Sequence, residues 1–422
     1  MTSTSPDLPA APEPSRAAMP FILTAVLIDM VSIGLIIPVL PPLVGTFTAS
    51  QADQAFWFGA VMFAFGIANF FGSPILGALS DRYGRRPILL VGFSGLALSF
   101  FVTAMATALW VLIFVRLFSG AMMANAAVAN AYVADITPPA DRARRFGLLG
   151  AMFGLGFILG PVLGGLLGNI DLHLPFFVAG GLALLNLAYG FFVLPESLPK
   201  ERRSAFEWRK ANPVAALQGL AELKGIGALV IVLALSGLAQ FVLHSTWVLY
   251  TAFKFGWGPL ANGWSLFAVG VMSAVVQGFL LKHLLVRFST QRLVVMGLVS
   301  SSLCYLAWGL APEGWMMYVV IGLNVLGFAV TATMQSIVSN AADESNQGRT
   351  MGAVSSLNSL MAVAAPVIGA ALLGFVSHLP QGDWRIGAPY YFCAALQAAA
   401  MLIALRHFAR ARHLESPHPA QI

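Results

Sequence analysis

The sequence predicts an all-α integral membrane protein of twelve transmembrane helices, arranged as two six-helix halves. Three observations predict it. Only 9% of the 422 residues are charged and 58% are hydrophobic, whereas a soluble domain carries roughly 25% charged residues. The apolar residues fall in runs of 20 or more, such as Phe21 to Val44 and Leu174 to Leu194. Each run can cross a hydrocarbon core roughly 30 Å thick as a helix, and a helix satisfies the backbone groups that lipid leaves unpaired. Finally, the basic residues cluster in alternate loops.

The runs place helices near 20–44, 55–79, 87–108, 109–134, 144–168, 174–194, 226–252, 261–285, 292–311, 314–340, 348–376 and 387–409. Residues 1–18 are polar and Pro-rich and read as a disordered cytoplasmic tail. The run that follows is too long for a signal-peptide core and contains Asp29 and three prolines. It is expected to stay as the first helix. Residues 196–223 carry Glu196, Lys200, Glu201, Arg202, Arg203, Arg209 and Lys210. They read as a linker between an N-terminal bundle over 19–195 and a C-terminal bundle over 224–410, with 411–422 a second tail. Of the 23 lysines and arginines, all but Lys254, Arg385 and Arg116 lie in even-numbered loops or at the termini. The basic loops, the linker and both termini are therefore expected in the cytoplasm. The same bias explains the net charge of +6 without any nucleic-acid partner. The 41 glycines and 24 prolines suit close helix contacts and kinks in lipid. Cys304 and Cys393 sit inside apolar runs and offer neither a disulfide framework nor a metal site, so no cofactor is expected.

The halves resemble each other. Gly160-Pro161-Val162-Leu163-Gly164 recurs as Ala365-Pro366-Val367-Ile368-Gly369, Trp110 as Trp315 and Gly147 as Gly352, all at an offset of 205. Ala134-Asp135 and Ala342-Asp343 match at nearly that offset. Parallel repeats of this kind predict a substrate path at the midplane between halves, opened alternately to each side.

Four features carry chemistry. The stretch Gly77 to Pro87, between the second and third helices, reads as a tight turn with glycines for the bend and arginines for topology. The fifth helix carries Gly156, Gly160, Gly164 and Gly168 four apart, with Pro161 and Gly165. That spacing shares one helical face, a small-residue packing surface. Asp29 lies nine residues into the first helix and Arg116 seven into the fourth. Charges at depth cost roughly 2.5–3.5 kcal/mol or more and usually line a pathway. Two readings stay open: a structural pair of Asp29 with Arg116, or Asp29 as a proton or cation site. The C-terminal half has no acid at depth. Its polar groups Gln240, His244, Gln277, Asn324, Gln335, Asn340 and Asn358 either cross-brace helices, at roughly 0.6–2 kcal/mol each, or line a substrate cavity. His244 either titrates near neutrality or sits at a helix end as a neutral donor.

Gly-x-x-x-Asp-Arg-x-Gly-Arg-Arg over 77–86 resembles the signature loop of the major facilitator superfamily. The resemblance implies a cytoplasmic gate in which Asp81 faces the N-terminus of helix 11, where a dipole favours a carboxylate, and Arg85 pairs with Asp135. The corresponding stretch around Lys282 to Arg292 lacks the glycines and the Asp. Gly-x-x-x-Gly-Pro-x-x-Gly-Gly over 156–165 resembles the helix-5 motif of that family's antiporters. Arg116-Leu-Phe-Ser-Gly120 resembles its helix-4 motif, linked to proton coupling. Leu27 to Pro41, Ser80 to Pro87, Ala134 to Thr137, Phe146 to Gly165, Trp247-Val-Leu and Phe255-Gly-Trp257 resemble the tetracycline-resistance-type drug:proton antiporters. The resemblance spans nearly the whole chain and implies exchange of a metal–tetracycline chelate for a proton. The acids those pumps carry in helices 3 and 9 fall here at Ser99 and near Ser300, and their helix-8 His at Met272. A different small, amphipathic drug or metabolite is therefore expected as substrate. The resemblance thus implies a monomeric, proton-coupled exporter of a bacterial cytoplasmic membrane, with an uptake symporter or facilitator on the same fold as the alternative. The spans show no nucleophile–base pair, no Walker-type loop and no ring of like charges, so neither an enzyme nor a channel is expected.

Overall fold

The computed structural model describes residues 18–208, 212–214, 227–340 and 347–415. Among the described residues there is no strand. Eleven helices are long and apolar enough to cross a membrane, and a bent pair makes twelve. They are α1 (Ala18–Gly45), α2 (Gln51–Tyr83), α3 (Arg85–Ala104), α4 (Leu109–Ile136), α5 (Arg144–Ile170), α6 (Leu174–Val193), α7 (Gly227–Phe255), α8 (Pro259–Arg287), α9 (Thr290–Leu310), α10 (Trp315–Leu323 with Val325–Val338), α11 (Gly352–Val376) and α12 (Trp384–Arg410). The expected tail over 1–17, much of the linker, Ala342-Asp343 and residues 416–422 lie outside the described residues, as does the side chain of Asn340. The final helix runs on to Glu415 instead of giving way to a tail near 411.

Several spans are not the continuous helices that hydropathy suggests. α1 is interrupted between Ile36 and Leu40, around Pro38, which has no N–H to donate. α4 breaks between Met122 and Asn125, and α10 bends by 47° at Asn324. α8 contains a π-helical turn over Val276–Leu280. Conversely, Gly77 to Pro87 is hardly a turn. α2 continues through Tyr83 and α3 begins at Arg85, leaving Gly84 alone at φ 109°, a conformation open to glycine without a Cβ penalty. Lys254, expected in a loop, closes α7. It is buried, donates to Gly309 O at 2.6 Å and lies over the Tyr250 and Phe255 rings.

The packing repeats between halves. α1 lies along α5 and α7 along α11; α3 lies against α6 and α9 against α12. Among the described residues the two most extensive contacts between the halves are α5 with α8 and α2 with α11. They match as a pseudo-two-fold pair. A Cβ on Gly263 of α8 would stand 2.6 Å from Pro161 O of α5, and one on Gly59 of α2 would stand 3.3 Å from Pro366 O of α11. Pro161 and Pro366 are the repeat-related prolines. Nothing apolar drives helices together in lipid, so close backbone approach supplies the attraction.

The glycine face of α5 is divided between two partners. Gly156, Gly160, Gly164 and Gly168 abut Met30, Gly34, Leu35 and Val39 of α1, while Gly165 and Pro161 meet Pro259 and Gly263 of α8. Both inter-half contacts lie at the end away from the basic loops. At the basic end glycines of the same four helices have no close neighbour among the described residues. A Cβ on Gly77, Gly147, Gly150, Gly154, Gly278 or Gly352 would meet nothing within 4 Å. The halves therefore touch at one end and part at the other.

Gly164→Leu would drive a side chain into the Leu35 backbone carbonyl, which cannot step aside as a side chain could. We expect a loss of about 3 kcal/mol or more, read as a lower melting temperature in detergent. Gly147→Ala, facing open space, should melt as wild type.

Candidate functional site

Local irregularity positions the site. A cavity of about 330 Å³ opens among α7, α8, α9 and α10. Gln240, His244, Gln277, Asn324 and Gln335 all line it, so the structure brings five of the seven polar residues together. Gln240 and His244 lie one turn apart on α7, with the amide nitrogen 3.1 Å from His244 Nε2, and Tyr305 Oη donates to Gln240 Oε1 at 3.1 Å. His244 is thus mid-helix and faces the cavity rather than capping a helix end. Gln277 sits in the π-helical turn and donates to Ser273 Oγ at 2.7 Å. Asn324 marks the bend in α10. Trp247, Trp308 and Phe328 complete an aromatic wall. A smaller cavity of about 150 Å³ shares Gln240, Thr331 and Gln335 and reaches Asn358. The main cavity lies within the C-terminal half, not astride the midplane between halves as repeat symmetry suggests.

Asp29 does not line either cavity. It is 4% exposed, and Asn125 Nδ2 donates to its Oδ1 at 3.2 Å. Asn125 is the first residue beyond the break in α4, and the absence of a side chain on Gly92 of α3 makes room for its amide. Arg116 is 6% exposed, and its Nε and Nη2 have no hydrogen-bond partner. Among the described residues no ion pair joins Asp29 to Arg116, so the structural pairing is overturned. The reason is geometric: the α4 break turns Asn125, not Arg116, toward α1.

At the basic end the expected gate residues do meet, but within one half. Arg85 contacts Asp81 at 2.6 Å, Asp135 at 3.1 Å and Ser80 Oγ at 2.6 Å. Asp81 therefore pairs across the α2–α3 corner; residues 341–346, just before helix 11, lie outside the described residues. Sequence reasoning missed Glu196. Its carboxylate accepts from the backbone N–H groups of Arg85 (2.8 Å), Arg86 (3.3 Å), Ser197 (3.0 Å) and Leu198 (3.0 Å). It caps the exposed N–H groups at the start of α3, where the helix dipole favours an anion. Ser197 Oγ also donates to Asp135 at 3.1 Å, and Ser204 N to Asp81 O at 3.1 Å. The start of the linker is thereby bound to the α2–α3 corner. The signal was a lone acid directly after the sixth apolar run. Asn125 was signalled by an amide inside an apolar run. Among the described residues no three His, Cys, Asp or Glu side chains converge as a metal would require.

A family model described as Major Facilitator Superfamily matches residues 22–366 and again 229–421. The chain belongs to that superfamily. The second match, over the C-terminal part alone, fits a protein made of two similar halves. The class C tetracycline resistance protein of Escherichia coli is 35% identical over 378 residues, 89% of this chain and 95% of the relative. The class B protein of Escherichia coli is 31% identical, covering 87% and 92%. Among solved structures, the human organic anion transporter MFSD10 (TETRAN) overlays with a TM-score of 0.68 at 23% identity, covering 93% of this chain and 100% of the other. The nucleoside transporter NupG overlays at 0.75 with 14% identity, covering 93% and 99%. These overlays establish the superfamily's twelve-helix fold for this member.

Glu196→Ala removes the acceptor for the first N–H groups of α3. A lost cap costs about 1–2 kcal/mol; we expect that loss in detergent thermal unfolding and faster trypsin cleavage at Arg202 or Arg203.

Proposed function

We propose that the protein exports a small drug-like or metabolite substrate across the bacterial cytoplasmic membrane by alternating access, exchanging it for protons. One observation carries the reading: α2, α5, α8 and α11 join the halves at one end and stand apart at the basic end. The positive-inside bias would put the basic end in the cytoplasm; on that reading the arrangement is an inward-facing state, and we take the protein to act as a monomer. The halves over 19–195 and 224–410 would rock about the glycine contacts, closing the basic end as the other opens. The polar cavity on α7–α10 would hold the substrate. Arg85, Asp81 and Asp135, tied to the linker through Ser197, would form the cytoplasmic latch.

Asp29 is the group we assign to the proton, acting with Asn125. Among the described residues no cation pairs with its carboxylate, and a proton would remove that charge. Arg116, whose Nε and Nη2 have no hydrogen-bond partner, would sense that change or meet the carboxylate in another conformation. An inward proton gains roughly 2.3 kcal/mol per 100 mV from the membrane potential, enough to drive cargo outward. The tetracycline resistance relatives favour export over the alternative of uptake, and the helix-5 glycine motif belongs with antiporters. Membership of a transporter superfamily favours transport over catalysis.

A toxicity panel in an efflux-deficient bacterium tests this. Wild type should raise resistance to at least one compound, and Asp29→Asn should return it to host level. Purified protein in vesicles should move that compound faster under an imposed pH gradient. Flux indifferent to the gradient would sink proton coupling, and unchanged resistance in the variant would remove Asp29 from the mechanism.

A further inference from the structure

The two halves are not equally filled. In the N-terminal half α2 and α4 pack closely, because Gly72 lies against Ala121 with only 2.5 Å for a Cβ, and Gly120 lies against Phe65 and Ala68. The offset of 205 carries Gly72 to Gln277 and Gly120 to Val325. Larger residues stand where the glycines would be, and α8 and α10 touch far less than α2 and α4. The main cavity occupies that gap. It is flanked by the π-helical turn on one side and the bend at Asn324 on the other, irregularities that recur at binding sites.

The lining defines a chemistry. It contains no Asp, Glu, Lys or Arg. The aromatic wall is already engaged: Trp247 and Trp308 meet edge to face at 5.3 Å and 86°, and Tyr305 lies on Trp308 at 20°. Their indole N–H groups are spent on Ser265 Oγ (2.9 Å) and Met317 O (3.1 Å). What remains is apolar surface, amides, the His244 imidazole and the Ser273 and Thr331 hydroxyls. Asn324 is 4% exposed and its Oδ1 has no hydrogen-bond partner, an unmet acceptor at the bend. The one acid at depth, Asp29, belongs to the other half. A cation moving from water into this cavity would find no counter-charge, whereas an uncharged aromatic with a polar N–H or O–H would match amides and rings together.

We propose that this cavity is a site for an uncharged, planar aromatic molecule bearing hydrogen-bonding groups, and that it disfavours permanent cations. The proposal rests on the reading that this cavity holds the cargo. At about 330 Å³ it suits a ligand of two or three fused rings.

Two probes with the same three-ring skeleton differ in the two features at issue, charge and hydrogen-bonding groups: acridone, neutral with an N–H and a carbonyl, and 10-methylacridinium, a permanent cation with neither. Both fluoresce, so binding to the purified full-length protein can be titrated directly. Acridone should bind at least tenfold tighter. Asn324→Leu and, should that variant fail to fold, Gln335→Leu should each weaken acridone about tenfold, and Asn324→Asp should turn the preference toward the cation. Equal or tighter binding of methylacridinium to wild type, binding of neither probe, or acridone affinity untouched by the folded cavity variants would overturn the proposal. Asp29→Asn should bind acridone as wild type while losing gradient-driven export. A protein that binds acridone but ignores the gradient would lose the exporter reading alone. One that exports under the gradient yet prefers the cation would lose this inference alone.

Discussion

Backbone approach along α5 is the contact on which the rest of the molecule depends. In lipid there is no hydrophobic gain from bringing helices together, so attraction has to come from close van der Waals contact. Four glycines spaced one turn apart let α5 sit against α1, and Gly165 with Pro161 lets it sit against α8. The first contact fixes where α1 runs, and so where Asp29 is buried. The second joins the halves. A single helix thus couples the buried acid to the interface that must move if the halves rock.

Departures from the repeat matter as much as the repeat. The α5–α8 and α2–α11 contacts are near copies and supply a symmetric joint. The space between α8 and α10 has no such copy in the other half, because the small residues that close α2 onto α4 are replaced. A joint gains from symmetry, while a binding space needs volume and chemistry of its own. Here the two requirements fall on different helix pairs, so a cavity can be built without loosening the contacts that hold the halves.

Charge is segregated in the same way. The C-terminal cavity is polar but uncharged. The N-terminal half holds Asp29 under Asn125 and Arg116 with Nε and Nη2 unpaired, and its basic end carries the Arg85 cluster. Glu196 draws the beginning of the linker into that cluster, so the chain that leaves α6 is anchored at the α2–α3 corner before it crosses to the other half.

Hydropathy, loop charge and the 205-residue repeat determined the span count, the two halves and the expected sidedness, because each is a property of residues counted along the chain; the superfamily was read from the resemblance of the 77–86 and 156–165 motifs. The helix-5 glycine face was equally legible, since a spacing of four always shares a face. Seven amide and imidazole residues could be recognised as a set, and five of them line one cavity. Only the tertiary structure decided that the cavity lies inside one half, that Asp29 meets Asn125 instead of Arg116, that α2 stays helical through Tyr83, and that Glu196 caps α3. Those outcomes follow from helix rotation, from breaks at Pro38, Met123 and Asn324, and from residues far apart in the chain arriving side by side. An apolar run looks the same in sequence whether its helix is straight or broken, and only packing selects which polar side chain turns toward which neighbour.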